Sequence, residues 1–128
     1  MNSLLIKAAT DKGNNMMNYG YWAHTNPITN ETAWKFIKQE GYTFTAAGEN
    51  LAKDYSSVDA IITGWLNSAS HKKILLSDKY TETGIAVVHY TKDGSDKVLV
   101  VHLFAKPAKT SKSISMVLRS TFETIVKR

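Results

Sequence analysis

Cysteine is absent from this 128-residue chain, which excludes disulfide bonds, a thiolate nucleophile and a thiolate zinc site. Long apolar runs are absent too, since no stretch approaches the roughly 18 residues that a membrane-spanning helix needs. The seven glycines occur singly, so there is no glycine-rich loop of the kind that binds phosphate. The remaining balance, 43% hydrophobic and 21% charged residues, is typical of one folded globular domain.

Arginine is missing from residues 1–105, in which ten lysines balance ten acidic residues. The net charge of +5 therefore lies in residues 106–128. A neutral body without arginine argues against nucleic-acid binding, which needs a basic face that contacts phosphates. The basic C-terminal segment could contact an anionic membrane surface or an acidic partner, and a solvated chain end is the simpler alternative.

Helices are predicted over residues 3–19, 30–40 and 57–68, and over a C-terminal stretch, from apolar residues at helical spacing. Gly20 is expected to end the first helix, Asn30 to cap the second, and Ser56 to cap the third. Residues 42–55 have a mixed pattern that is compatible with a short strand or a loop.

Two runs rich in β-branched residues, 83–90 and 97–105, flank a turn signal and predict an antiparallel hairpin joined at Asp93-Gly94. Both runs are almost continuously apolar, which indicates a sheet covered on both faces. Helices precede the hairpin without a βαβ alternation, so the sequence predicts an α+β domain built in layers.

Four sequence blocks follow one another along the chain. They are residues 21–27 (YWAHTNP), 47–52 (AGENLA), 65–75 (WLNSASHKKIL) and 80–86 (YTETGIA). This succession resembles the bacterial branch of the CAP superfamily, the cysteine-rich secretory, antigen 5 and pathogenesis-related proteins with their SCP-like extracellular domain. The second and third blocks are the most specific, and the resemblance covers about residues 3–106.

The resemblance implies an α-β-α sandwich around a small antiparallel sheet, formed by residues 1–106 without the usual first helix of the family. Residues 107–128 would then be a basic tail with an amphipathic C-terminal helix. The N-terminus shows no export signal, which is compatible with a cytoplasmic protein or with a signal that has been removed. Because members of the family are typically secreted or surface-exposed, the resemblance favours removal.

The resemblance also implies a cleft in which two histidines and two glutamates bind a divalent cation. Matched block by block, His24, Glu49 and His71 occupy three of these positions, and Ser68 stands at the position of the second glutamate. Two imidazoles and one carboxylate, with water as the fourth ligand, would suit zinc. Glu82 is a candidate for an additional carboxylate.

Tyr21 and Trp22 directly precede the first of these histidines and are expected to border the cleft. The cluster also has a purely structural interpretation, because a buried Glu49 between two histidines is electrostatically satisfied without a metal. His89 and His102 lie on the predicted hairpin strands and are interpreted as cross-strand packing residues.

Three functions are compatible with these residues. The first is a non-enzymatic extracellular binding module for a partner protein or a small apolar ligand, with no required cofactor; lipid or sterol binding is implied by the family alone. The second is a metal-dependent hydrolase using His24, Glu49 and His71, with Glu49 as the base for a polarised water. The third is a surface-coat or adhesion protein without cleft chemistry. The incomplete set of ligands and the absence of a nucleophile elbow argue against the hydrolase.

Overall fold

Residues 1–55 and 57–108 are described by a computed structural model, and they form four helices and three strands. In chain order these are α1 (Ser3–Tyr19), α2 (Ala33–Gln39), β1 (Phe44–Tyr55), α3 (Val58–Leu66), α4 (Ala69–Leu75), β2 (Glu82–Lys92) and β3 (Ser95–Pro107). None of the helices in this part of the chain is long and apolar enough to cross a membrane. The C-terminal helix predicted within residues 107–128 falls almost wholly outside the described residues.

The three strands form one antiparallel sheet in the order β1-β3-β2, which places β3 in the centre. The hairpin of β2 and β3 turns at Asp93 and Gly94, whose φ angles are 52° and 76°. Positive φ at both central residues is the geometry of a two-residue turn whose twist matches that of the strands. The hairpin predicted from the sequence is therefore confirmed.

Helices cover both faces of the central strand. Leu99, Val101 and Leu103 pack into a cluster with α1 and α2, whereas Val98 and Val100 pack against α3. This alternation follows from the strand period of two and explains why the run is almost continuously apolar. The α+β sandwich expected from the sequence is thus the observed fold.

The first helix has the predicted bounds. Asn2 accepts hydrogen bonds from the backbone N–H groups of Leu4 and Leu5, at 2.9 and 3.1 Å, and so caps the N-terminus. Gly20, at φ 65°, ends the helix in the left-handed conformation. Tyr19 is predicted to lie on the apolar face of this helix, but its side chain is 45% exposed.

The predicted second helix is too long at its N-terminal end. Asn30 is not its cap but a loop residue in the left-handed conformation, at φ 61°, and Thr32 is the residue that precedes the helix. The loop is fixed by the fully buried Asn26, whose side-chain oxygen accepts hydrogen bonds from the N–H groups of Ile28 and Thr29. A buried asparagine therefore replaces the helical turn that the spacing of apolar residues predicted.

Two further elements differ from the sequence prediction. Residues 42–55 contain a twelve-residue strand, β1, which pairs with β3 over most of its length. The helix predicted over 57–68 ends at Leu66, and a second helix that was not predicted, α4, follows it after Ser68. The side chain of Ser57 accepts a hydrogen bond from the N–H of Ala60, so the N-cap of α3 is one residue later than predicted.

A glycine allows α1 to lie directly on β2. A Cβ atom built on Gly84 would be 2.3 Å from backbone atoms of Leu5 and Ile6, closer than any real contact. The glycine of the fourth sequence block is therefore explained by the close approach of two backbones, which no side-chain rotation can relieve.

Gly84→Ala should lower the free energy of unfolding by about 3 kcal/mol, because α1 must move away from β2 to accept the methyl group. Gly64→Ala is the matched control: its Cβ would meet only the hydroxyl end of the partly exposed Tyr55, and alanine favours the helix. Urea-induced unfolding of both variants measures the difference. Equal stabilities would contradict the close approach of α1 and β2.

Candidate functional site

The pair formed by His24 and Glu49 lies at the free edge of β1. Glu49 belongs to this strand, and His24 lies in the loop after α1, which a backbone bridge between Thr25 and Thr32 closes. His24 Nδ1 is 2.6 Å from Glu49 Oε1. The side chain of His24 is 66% exposed and that of Glu49 only 3%. An exposed imidazole therefore covers a buried carboxylate.

The hydrogen bond to Glu49 raises the pKa of His24 above its ordinary value, and partial burial of the ring offsets some of that rise. A pKa raised in the folded state stabilises the protein fully below the ordinary histidine pKa, and this contribution is lost as the pH rises through the raised value. The pair is thus most favourable in weakly acidic solution. Because the ring is largely exposed, solvent screening keeps the contribution small.

Lys12 is the buried cation of the site. It is fully buried in α1, and its Nζ donates a hydrogen bond to the backbone carbonyl of His24 at 2.6 Å. Nζ also lies 5.2 Å from the centroid of the Tyr21 ring, within reach of a cation–π interaction. Burial lowers the pKa of Lys12, and the negative charge of Glu49 acts in the opposite direction. Lys12 therefore fixes the loop above Glu49 and brings a positive charge towards the carboxylate.

Glu49 lines two cavities, one of about 360 Å³ between α2, β1 and α4 and a smaller one of about 110 Å³. Trp34, Ile74 and Tyr80 give the larger cavity a mainly apolar wall. The second carboxylate oxygen of Glu49, Oε2, is buried and accepts no hydrogen bond from the described residues. Leaving such an atom unpaired costs about 1–3 kcal/mol, which a ligand with a suitably placed donor would recover.

His71 lies in α4 and lines the smaller cavity together with His24 and Glu49. Its Nδ1 is 2.8 Å from Ser68 Oγ, and its ring stacks on Trp65 with the ring centroids 6.4 Å apart. The serine at the family's second glutamate position therefore orients the imidazole and supplies no carboxylate. The remaining nitrogen of His71, Nε2, is the one left for a ligand in the cleft.

The second sequence block connects the two sides of the cleft. The fully buried Asn50 donates a hydrogen bond from Nδ2 to the backbone carbonyl of His71 at 3.1 Å. A Cβ atom on Gly48 would lie 2.8 Å from the hydroxyl of Tyr80, which donates a hydrogen bond to the carbonyl of Ala47. The block thus combines a buried carboxylate, a buried amide and room for an aromatic ring.

The other predicted site residues lie in different places. Both oxygens of Glu82 accept hydrogen bonds, from Asn2 and Tyr42, so this carboxylate joins α1 to the sheet and lines neither cavity of Glu49. Tyr21 is half-buried, and burial raises its pKa to about 12. Trp22 is 41% exposed and lines a further cavity at the side of the cleft.

The two hairpin histidines lie away from the cleft pair. His102 stacks on Phe104 with the ring centroids 4.1 Å apart, and its Nε2 is 2.6 Å from Thr83 Oγ1. Burial lowers the pKa of His102 to about 4, so the ring is neutral at physiological pH. His102 is the cross-strand packing residue that the sequence predicts, whereas His89 is exposed on β2.

The cleft side chains do not fit a resident metal ion in this arrangement. His24 and Glu49 are hydrogen-bonded to each other, and His71 is bonded to Ser68. Among residues 1–55 and 57–108, no group of three or more histidine, aspartate or glutamate side chains could hold a metal ion. The complete set of ligands implied by the resemblance is thus reduced here to a hydrogen-bonded pair and a separate histidine.

Lys12 is not among the site residues predicted from the sequence, although its position on α1 gives a signal. It follows Leu5, Ala8 and Ala9 on the same face of α1, and that face is buried. A lysine on the apolar face of a helix requires a partner in the interior, because an isolated buried charge is strongly unfavourable. The spacing alone therefore predicts that this lysine is buried, but it does not identify the carbonyl or carboxylate that the lysine contacts.

The fold and the cleft define an α-β-α domain in which a loop histidine covers a buried strand glutamate. A family model, that of the cysteine-rich secretory protein family (CAP), matches residues 1–104. The chain belongs to this family.

Two proteins from Bacillus subtilis (strain 168) are similar in sequence to part of this chain. The uncharacterized protein YkwD is 31% identical over 84 residues, which are 66% of this chain and 32% of YkwD. The uncharacterized membrane protein YlbC is 46% identical over 50 residues, which are 38% of this chain and 14% of YlbC. The chain therefore spans about a third or less of the length of these curated relatives.

Two solved structures share the fold. One is an extracellular protein containing a SCP domain from Bacillus anthracis str. Ames, with a TM-score of 0.67, 28% identity, and coverage of 82% of this chain and 32% of that protein. The other is an outer surface protein from Borrelia burgdorferi, with a TM-score of 0.68, 23% identity, and coverage of 84% of this chain and 76% of that protein. At this identity the Borrelia protein shows the fold alone.

Lys12→Met should lower the free energy of unfolding by about 3 kcal/mol, because it removes the buried charge and frees the loop carbonyl of His24. Lys72→Met, on the exposed side of α4, is the matched control and should change stability by no more than about 0.5 kcal/mol. Urea-induced unfolding of both variants measures these changes. A Lys12→Met protein as stable as the control would show that the buried charge does not hold the loop.

Proposed function

We propose that this domain acts outside the cell as a binding module whose cleft takes a small, largely apolar ligand anchored at the His24–Glu49 pair. The observation that carries the proposal is the 360 Å³ cavity, whose mainly apolar wall ends at a buried carboxylate with an unpaired oxygen. Cavities of a few hundred Å³ with an apolar wall and few polar groups are typical of small-molecule sites. The similarity to an extracellular SCP-domain protein supports the location.

The polar end of the cleft favours a ligand that carries a hydrogen-bond donor on an apolar body. Glu49 Oε2 is an acceptor without a partner among the described residues, and the exposed ring of His24 lies next to it. Lipid- and sterol-like molecules with a hydroxyl group have this chemistry, so they form the ligand class that we propose. A partner protein that inserts one apolar side chain is the alternative occupant.

Filling the cavity should abolish binding of a neutral apolar probe. Ala47 lines the cavity, so Ala47→Leu places three more carbon atoms inside it. The variant should bind the fluorescent probe N-phenyl-1-naphthylamine at least roughly tenfold more weakly than the natural chain, a difference of about 1.4 kcal/mol. Fluorescence titration measures both affinities, and displacement by a fatty alcohol or a sterol then ranks the two ligand types.

The control for this titration is Ala69→Leu, at an exposed position of α4 that lines none of the cavities described above. It should bind the probe as the natural chain does. Equal affinity of both leucine variants, or no saturable binding at all, would rule out the cleft as a small-molecule site. A surface-coat or adhesion role without cleft chemistry would then be the better explanation.

A divalent cation is the second candidate occupant, and the unpaired Oε2 of Glu49 is the observation that favours it. With only His24 and Glu49 adjacent, such binding would be weak and would require the hydrogen bond between them to break. The hydrolase alternative needs three ligands on one metal ion, and the described residues that line the small cavity are not spaced as such a group. We therefore propose weak cation binding at the His24–Glu49 pair, without a catalysed reaction.

Ser68→Glu should raise the zinc affinity measurably at pH 8, because it restores an anionic group beside His71. The gain should disappear as the pH falls below the raised pKa of His24, since a protonated imidazole cannot bind a metal. Calorimetric titration with zinc at pH 8 and pH 5.5 compares the variant with Thr63→Glu, a control at an exposed position of α3 that lines none of the cleft cavities. Equal heats for the two variants would assign the cluster to hydrogen bonding alone.

A further inference from the structure

A second cavity, which we call the bulge cavity, lies on the far side of the loop that carries His24. Its volume is about 310 Å³, and it is an open cavity bordered by the C-terminal end of α1, this loop and the three strands. Its apolar and aromatic lining comprises Met16, Met17, Tyr21, Trp22, Tyr90 and Leu99, and its charged lining comprises Lys53, Asp54 and Lys92. None of the three charged residues lines the cleft cavities, so the two sites meet only near Trp22.

One wall of the bulge cavity is a β-bulge. The register between β1 and β3 shifts between Ala52 and Tyr55, and Asp54 there has φ 67°, in the left-handed region that side chains with a Cβ rarely adopt. The hydroxyl of Tyr90 accepts a hydrogen bond from the Asp54 N–H at 2.7 Å and donates one to its carboxylate. Tertiary contacts thus maintain an irregular strand, and bulges of this kind re-aim side chains next to binding sites.

Two lysines line the bulge cavity, and only one of them has an ion-pair partner among the described residues. Lys92 Nζ lies 2.8 Å from Asp54 Oδ2, and these two charges neutralise each other. Lys53 makes no ion pair with any of the residues in the two described ranges. Its Nζ lies 5.2 Å from the centroid of the exposed Trp22 ring instead. The cavity therefore presents a net positive charge beside an aromatic surface.

We propose that the bulge cavity binds an aromatic carboxylate, with the carboxylate at Lys53 and the ring against Trp22 and the methionine side chains. An uncharged aromatic molecule would leave the ammonium group of Lys53 without an anionic partner. A small inorganic anion would leave the apolar wall in water. Only a ligand with both parts uses the charge and the aromatic surface together.

The test is a titration of the full chain with 2-naphthoate and with its uncharged isostere 2-naphthamide, followed by NMR of the backbone amides. We expect 2-naphthoate to bind about fivefold more tightly, as one partly exposed charged hydrogen bond provides. The shifted amides should be those of Trp22, Lys53 and Asp54. Acetate and inorganic phosphate should bind at least about fivefold more weakly than 2-naphthoate, because they lack the apolar body.

Two variants locate the interaction. Lys53→Gln keeps a polar side chain, one atom shorter, but removes its charge, so the preference for 2-naphthoate over 2-naphthamide should vanish. Trp22→Leu should weaken binding of both molecules. Lys73→Gln, on the exposed side of α4, removes the same charge elsewhere and should change nothing.

Three results would overturn the proposal. The first is equal affinity for 2-naphthoate and 2-naphthamide in the natural chain. The second is a preference that survives in Lys53→Gln, which would place the anion elsewhere. The third is amide shifts confined to the cleft residues His24, Glu49 and His71. The last result would also leave the cleft proposal intact, because that site depends on neither Lys53 nor the bulge.

Discussion

The buried carboxylate of Glu49 is the constraint that organises the cleft. A charged group in the interior is costly unless charges and hydrogen bonds compensate for it. Here the compensation comes from one segment, because Lys12 in α1 and His24 in the following loop approach the carboxylate together. The electrostatic requirement of one side chain therefore fixes the position of a loop relative to the sheet. The compensation is incomplete, because Glu49 Oε2 has no hydrogen-bond partner among the described residues. This oxygen is the acceptor that remains for a ligand in the cleft.

The position of the cleft follows from the sheet topology. β1 is an edge strand, and successive side chains of a strand point to opposite faces. Leu51, on the same face as Glu49, packs with the α1 cluster, whereas the amide of Asn50 reaches α4. The consecutive polar residues Glu49 and Asn50 thus connect the helical layers on the two faces of the sheet to β1. The opening between these layers, at the strand edge, is where the cavities lie, and the helices and the loop protect an edge that would otherwise be exposed.

The parts of the fold that local signals determine could be predicted from the sequence. The hairpin turn at Asp93-Gly94 and the end of α1 at Gly20 depend on positive φ, which these residues adopt at little cost. The short helix α4 could not be predicted, because the apolar stripe of α3 ends at Leu66 and no residue of α4 is buried. Its backbone is bound instead by Asn50, which donates a hydrogen bond to the carbonyl of His71. The bulge at Asp54 could not be predicted from the sequence either, because the hydrogen bond that maintains it comes from Tyr90, which is far away in sequence. Contacts between distant segments decide both features.

The candidate site was predictable to a similar extent. The family resemblance assigns His24, Glu49 and His71 to one cleft, and the structure places them around one small cavity. What the resemblance could not supply is their pairing, because Ser68 binds His71 and leaves Glu49 to His24. This pairing bears on function. An imidazole that is two-thirds exposed stays hydrated, and water weakens its interaction with the carboxylate. A ligand that covers the ring removes this water and strengthens the pair, provided that the ligand satisfies Oε2. This coupling is the physical basis on which we propose that the cleft selects molecules with an apolar body and one polar end.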